Sequence, residues 1–156
     1  SKYFLIYFNS FSFNIERLQQ MNPLVQLENI IVLNAKRYSE QTKAVANIKA
    51  TKNISLIIID SFTAHYRTKT KEEKKLFINK SFKKMLDELK ILKIPVIITS
   101  QIYTDFKNQN LPIAKELLKK YVAYTLRLEN KGKRKAIIEE TKVDIPFIIT
   151  DQGIEV

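Results

Sequence analysis

Residues 56–67 read LIIIDSFTAHYR, and the order of residue types in this stretch decides the fold. Four consecutive aliphatic side chains, preceded by Ile54, leave no polar face, which is the pattern of a strand buried on both sides within a parallel sheet. The run stops at Asp60 and Ser61, so a carboxylate stands where the chain leaves the core. In open α/β sheets, ligands gather beyond the carboxyl ends of the strands. An aliphatic strand ending in Asp is the form of a Walker B strand, whose carboxylate holds the water shell of a magnesium ion on a nucleotide. Buried strands also end in Asp simply because the chain turns out to water, so the neighbouring segments must carry the argument.

Those segments alternate between strand and helix patterns. Residues 2–8 (KYFLIYF) form an apolar run of strand length, and Asn14 precedes a short helical stretch carrying Ile15, Leu18 and Met21, stopped by Asn22-Pro23. Residues 29–34 (NIIVLN) predict a second strand, and Ser39 is placed to cap a helix reaching about Ala50. After residues 54–60, a long helix is expected over 71–93, with Leu76, Phe77, Met85, Leu86, Leu89 and Leu92 in an apolar stripe. Residues 94–100 (IPVIITS) predict a buried strand with Pro95 near its start. A polar loop (105–110), a short helix (112–120) and two hairpins follow. One hairpin turns on Asn-Lys-Gly-Lys between 121–129 and 134–140, the other on Asp-Gln-Gly between 146–150 and 154–156. Early βαβ spacings and late hairpins predict an α/β fold: a mostly parallel sheet flanked by helices and extended by C-terminal antiparallel strands. With 156 residues and no interior linker, residues 1–156 read as a single domain.

Composition removes several chemistries. There is no cysteine, hence no disulfide, thiolate metal site or cysteine nucleophile, and the single histidine, His65, cannot build a His-rich metal cluster. Only two glycines occur, Gly132 and Gly153, where average usage would give about eleven. A loop that wraps backbone amides around a triphosphate needs closely spaced glycines, and none can be written here. No apolar run is long enough to span a bilayer and no secretion signal is visible, so a cytoplasmic, nucleoid-associated location is expected.

The net charge of +11 points to an acidic partner. Two blocks carry the excess: residues 61–93 at +6 and residues 105–135 at +6, whereas residues 136–156 sum to −4. Lys69, Lys71, Lys74, Lys75, Lys80, Lys83 and Lys84 belong to the long helix, where lysines often do no more than solvate a face. Lys107, Lys115, Lys119, Lys120 and the turn residues Lys131, Lys133, Arg134 and Lys135 form a candidate phosphate-backbone surface, with Tyr103 and Phe106 placed to stack bases. Glu139 and Glu140, adjacent on a strand, point to opposite faces and make a poor carboxylate dyad.

Taken together, these stretches resemble the archaeal RadA/RadB recombinase family, built on a RecA-like core. LIIIDSFTAHYR is similar to the family's Walker B segment, and ILKIPVIITSQI (91–102) resembles its following helix end and T-N-Q strand. NIIVLNAKRYSEQ (29–41) resembles the strand and helix start before Walker B. SKYFLIYFNSFSFNIERLQQM (1–21) resembles the strand after the P-loop helix, with its S-F-x-x-E-R helix start, and FIITDQGIEV (147–156) resembles the family's terminus. The resemblance implies Asp60 as the magnesium position, Ser61 beside it and Gln101 as the phosphate-sensing position, a vestigial nucleotide site. It also implies departures. The P-loop strand, its loop and its helix would precede Ser1. The water-activating carboxylate falls at Ser10 or Asn9, neither of which accepts a proton as a carboxylate does. The long glycine-rich DNA-binding loop corresponds to residues 103–120, which lack glycine. The resemblance places the missing strand between those of Asp60 and Ser100, leaving a gap to be closed by those strands, by another chain or by more of the same product. An alternative alignment makes residues 2–8 themselves the degenerate P-loop strand.

The expectation is therefore a RecA-fold accessory protein of recombination and repair. It would bind DNA, single-stranded above all, and/or a recombinase or paralogue subunit, without catalytic residues or cofactor of its own. ATP and magnesium enter only in the second reading, an assembled DNA-dependent ATPase whose P-loop lies upstream or on a partner. A third reading is a degenerate protein-interaction subunit.

Overall fold

A computed structural model describes residues 2–7, 13–64, 72–104 and 110–156. In chain order its elements are β1 (Lys2–Tyr7), α1 (Ile15–Met21), β2 (Ile30–Asn34), α2 (Tyr38–Ile48), β3 (Ile54–Asp60), α3 (Glu72–Ile91) and β4 (Val96–Ile98). There follow β5 (Ile102–Thr104), β6 (Asn110–Pro112), α4 (Lys115–Leu118), β7 (Leu126–Lys131), β8 (Lys133–Ile138), β9 (Val143–Pro146), β10 (Ile148–Thr150) and β11 (Gly153–Glu155). Asn9, Ser10, His65, Tyr66, Lys69, Lys71, Phe106 and Lys107 lie outside the described residues. The chain divides into two compact units, Ser1–Phe13 with Gln26–Tyr121, and Asn14–Val25 with Val122–Val156.

The first unit is built on a parallel sheet of order β2-β1-β3-β4. Ile57 and Ile59 of β3 are fully buried, and the core around them comes from two helices: Ala44, Val45 and Ile48 of α2, and Phe82, Met85, Leu86 and Leu89 of α3. These positions recur at three and four residues, the spacing of one helix face. Phe82 sits at the centre, edge-on to Phe62 with ring centroids 4.9 Å apart. It belongs to the apolar stripe that the sequence reading carried by Met85, Leu86 and Leu89. The helix start differs from expectation: α2 begins at Tyr38, before Ser39. Arg37 stands at the N-cap with no side-chain cap, and Glu40, at the third helical position, accepts from the Lys36 amide just before it at 2.8 Å.

Of the three outcomes expected for the missing strand, closure by the flanking strands β3 and β4 is the one found. The two strands pair directly, Ile57 with Val96, Ile58 with Ile97 and Ile59 with Ile98. The ladder continues through Ile57 N to Pro95 O and Thr99 N to Ile59 O, both 3.0 Å. Pro95 needs to offer only its carbonyl there, so its missing N–H costs nothing. Beyond β4, β5 and β6 form an antiparallel pair that the polar character of the segment concealed. Helix α4 is shorter than expected because Ala114 at its start is left-handed, at φ 59.

The second unit holds the antiparallel sheet β7-β8-β9 and the hairpin β10-β11. Asn14 caps α1, its Oδ1 accepting from Arg17 N at 2.7 Å. The Arg17 guanidinium donates to the carbonyls of Thr150 and Asp151, both 2.7 Å, tying α1 to the last turn. Gly132 (φ 79) and Gly153 (φ 124) occupy the two hairpin turns, where other residues are strained. Residues 143–146 form a third strand beside β8, separate from the expected strand over 146–150.

Ion pairs run across the β7-β8-β9 sheet. Arg127 bonds Glu129 and Glu139, Lys142 meets Glu139 at 2.8 Å, and Lys135 meets Asp144 at 2.6 Å. Lys142 first and Arg127 second hold the Glu139 carboxyl down at about 2. A carboxyl depressed on folding stabilises the fold above its unfolded value, about 4.3, and loses that contribution as pH falls toward 2. Glu139→Gln is therefore expected to lower stability at pH 7 by about 0.5–1 kcal/mol, since the pairs are solvent-exposed. The gap from the parent should close between pH 4.5 and pH 2 in thermal melts followed by circular dichroism. A gap that persists at pH 2 would locate the effect elsewhere.

Candidate functional site

The carboxyl ends of β3 and β4 meet around one hydroxyl. Thr99 Oγ1 donates to Asp60 Oδ1 at 2.5 Å and accepts from the Ser61 amide at 2.7 Å. The Thr99 carbonyl accepts from Phe62 N at 3.0 Å, so one residue fixes the whole turn after Asp60. Ser61 is left-handed, at φ 56, a conformation that costs a non-glycine residue on the order of 1–2 kcal/mol. The Thr99 hydroxyl helps hold it there. Deeper in, Thr63 Oγ1 lies 3.0 Å from Ser100 Oγ and accepts from the Gln101 amide at 3.3 Å, while buried Gln41 donates to the Phe62 carbonyl at 3.0 Å. Gln101 itself is exposed, and its carbonyl accepts from Ile113 N at 2.9 Å.

Asp60, Ser61 and Gln101 thus lie at neighbouring strand ends, as the sequence implied, and Thr99 is the member the sequence reading missed. Its signal was its position, one residue before Ser100 in a strand next to β3. Magnesium at nucleotide sites takes one or two carboxylates together with the phosphates themselves. The donor set here matches that metal side alone. Among the described residues no three or more His, Asp or Glu side chains group to hold a metal. Both glycines of the chain are used in hairpin turns, so no glycine remains to bring backbone amides close around phosphate. The residues present do not by themselves fit a magnesium nucleotide, and no catalytic step follows from them.

The cationic candidates separate. Lys119 and Lys120 are exposed just beyond α4, and Lys115 is half-buried in its first turn. Lys133 and Arg134 are exposed without an ion pair among the described residues, whereas Lys135 is paired with Asp144 and lies 3.9 Å from Glu129. The side chain of Lys131 is outside those described. Divided between the two units, the charge is uneven: the first carries 20 Lys and Arg against 9 Asp and Glu, the second 7 against 7. The entire excess of +11 belongs to the first unit. Among the described residues no helix is long and apolar enough to cross a membrane.

A parallel sheet with helices on its face, a carboxylate ending β3, a polar strand end beside it and antiparallel strands at the C-terminal end define a RecA-like α/β core. The model of the Rad51 family matches residues 12–134, and the chain belongs to that family. It is similar to the DNA repair and recombination protein RadB of Thermococcus sibiricus, 34% identical over 83% of this chain and 61% of that protein. It is likewise similar to RadB of Methanocaldococcus jannaschii, 32% identical over 92% of this chain and 74% of that protein. A crystal structure of the RadB recombinase superposes with a TM-score of 0.75 at 26% identity, covering 99% of this chain and 78% of that one. The chain thus spans about three-fifths to three-quarters of the length of these relatives.

The Thr99 clamp is testable by stability. Thr99→Val removes the hydroxyl shared by Asp60 and Ser61 and is expected to cost about 1–3 kcal/mol in urea unfolding. Thr99→Ser should retain most of the parent stability. Equal losses in the two variants would show that the methyl group, and not the hydroxyl, matters.

Proposed function

We propose that this protein is a RadB-like accessory protein of DNA recombination and repair that binds DNA or a recombinase and does not hydrolyse ATP on its own. The observation that carries the reading is the confinement of the +11 excess to the unit bearing the RecA-like sheet. A surface of that charge attracts a polyanion through counterion release, independently of any nucleotide. The names of the relatives, DNA repair and recombination proteins, support DNA as that polyanion. The two-glycine composition supports the absence of autonomous hydrolysis.

One observation favours a second reading, a DNA-dependent ATPase completed by a phosphate-binding segment upstream or on another chain. Asp60 keeps its hydrogen bond from Thr99, and β4, paired only with β3 among the described residues, leaves Ile97 51% exposed. An edge of this kind accepts a further strand.

Fluorescence anisotropy of a labelled oligothymidylate across a salt series tests the first reading. Binding at low salt that falls steeply as salt rises is expected, with no ATP turnover by the chain alone. Absence of binding at low salt removes the DNA half. Magnesium-dependent capture of ATP by the purified chain overturns the claim about hydrolysis, and turnover that appears only on adding a P-loop-bearing partner replaces it with the second reading.

A further inference from the structure

This inference rests on the nucleic-acid reading above and names the surface that performs it. Helix α3 buries Phe82, Met85, Leu86 and Leu89, and on its other side exposes Lys80, Lys83, Lys84 and Lys90. From Lys80 to Lys90 the helix rises about 15 Å, enough to follow several phosphates of one strand. The acids near these lysines are the half-buried Glu88, four residues after Lys84, and the exposed Asp87, three or four residues from Lys83, Lys84 and Lys90. The Asp87 carboxylate accepts from the hydroxyl of Tyr121 at 2.8 Å. That hydrogen bond raises the Tyr121 phenol above its ordinary value, because the carboxylate favours the protonated form.

Tyr121 directly follows Lys119 and Lys120 and packs with Leu117 and Leu118 against the same core as α3. The Tyr121–Asp87 bond therefore sets the lysines of two elements side by side. None of Lys80, Lys83, Lys84, Lys90, Lys119 or Lys120 has an ion-pair partner among the described residues; the ion pairs found there are Arg37–Glu40 and those of the second unit. Lys80 and Lys84 stand at four-residue spacing as like charges, which costs a few tenths of a kcal/mol, and the acids at that spacing, Asp87 after Lys83 and Glu88 after Lys84, form no ion pair with them.

We propose that this strip, the exposed face of α3 joined by Lys119 and Lys120, is the track that holds the nucleic-acid phosphate backbone, and that the lysine-rich turn of the second unit is not. The turn's sheet, residues 126–146, sums to +2 and pairs Arg127 and Lys135 internally, while the strip's six cations form no ion pair among the described residues and, with Asp87, Glu88 and Glu116 counted, sum to +3. For single strands each neutralised phosphate contributes about 0.7 to the salt slope.

The test compares three double variants and one single variant in the oligothymidylate titration. Lys83→Gln with Lys84→Gln, and Lys119→Gln with Lys120→Gln, are each expected to weaken binding several-fold and to flatten the salt slope by about 1.4. Lys133→Gln with Arg134→Gln should leave both unchanged. Tyr121→Phe, which keeps every charge but unties Lys119 and Lys120 from α3, should weaken binding with a smaller change in slope. Thermal melts check folding; exposed Lys→Gln changes should stay within about 0.5 kcal/mol of the parent. Parent affinity in the α3 and 119/120 variants, with loss in the 133/134 variant, overturns the assignment while leaving DNA binding intact. If the parent chain does not bind oligothymidylate, the nucleic-acid reading itself fails. Capture of anionic vesicles or of an acidic recombinase surface through these lysines, without oligonucleotide affinity, assigns the strip to another partner and overturns the proposal.

Discussion

The hydroxyl of Thr99 is the contact on which the site depends. Strand β3 delivers Asp60 to the sheet end because Ile57 and Ile59 are fully buried beneath α2 and α3, but burial fixes only the strand. The direction of the carboxylate and the left-handed turn at Ser61 are fixed by β4, through one side chain that donates to the first and accepts from the second. Direct pairing of β3 with β4 is what places that side chain within reach. A strand inserted between them would move Thr99 about 5 Å further away, one interstrand spacing, and break both bonds. The strand order and the geometry of the carboxylate are thus a single constraint. It explains why an intact strand-end network accompanies a chain with no glycine left for phosphate.

Much of this was legible in the sequence because it depends on local pattern. The aliphatic run before Asp60, the Asn14 cap, and the glycines at both hairpin turns are each set by a few adjacent residues, and each is found where the pattern put it. What escaped depends on partners distant in sequence. Ser39 looked like the cap of α2, but the helix starts one residue earlier, at Tyr38, and leaves Ser39 inside its first turn. The β5-β6 pair joins residues that show no alternation, because Ile102, Tyr103 and Thr104 are all exposed and carry no buried face. Thr99 is an ordinary strand residue until Asp60 is placed 39 positions away within its reach. The place of the missing strand came from analogy, and of the three ways of meeting its loss, direct closure by β3 and β4 is the one found.

Charge shows the same division between local pattern and tertiary pairing. Along the sequence the turn lysines at 131–135 look like the densest cationic feature. Folding brings Asp144 across to Lys135 and Glu139 to Arg127, so two of the five acids of residues 136–156 meet cations of the block they follow. A positive run whose neighbouring strand is acidic has little far field, since opposite charges a few ångströms apart cancel well within a Debye length. Among the described residues of the first unit no such acidic strand exists, and the acid at the middle of the α3 lysines accepts the hydrogen bond of a phenol, which neither adds nor cancels charge. Meanwhile Leu126 and Leu128, 58% and 65% exposed on the neutral unit, offer apolar contact where electrostatic attraction is weakest. Exposed apolar side chains are found on both units, since Ile91, Ile97 and Ile102 of the first are exposed as well, so it is the charge alone that divides between them.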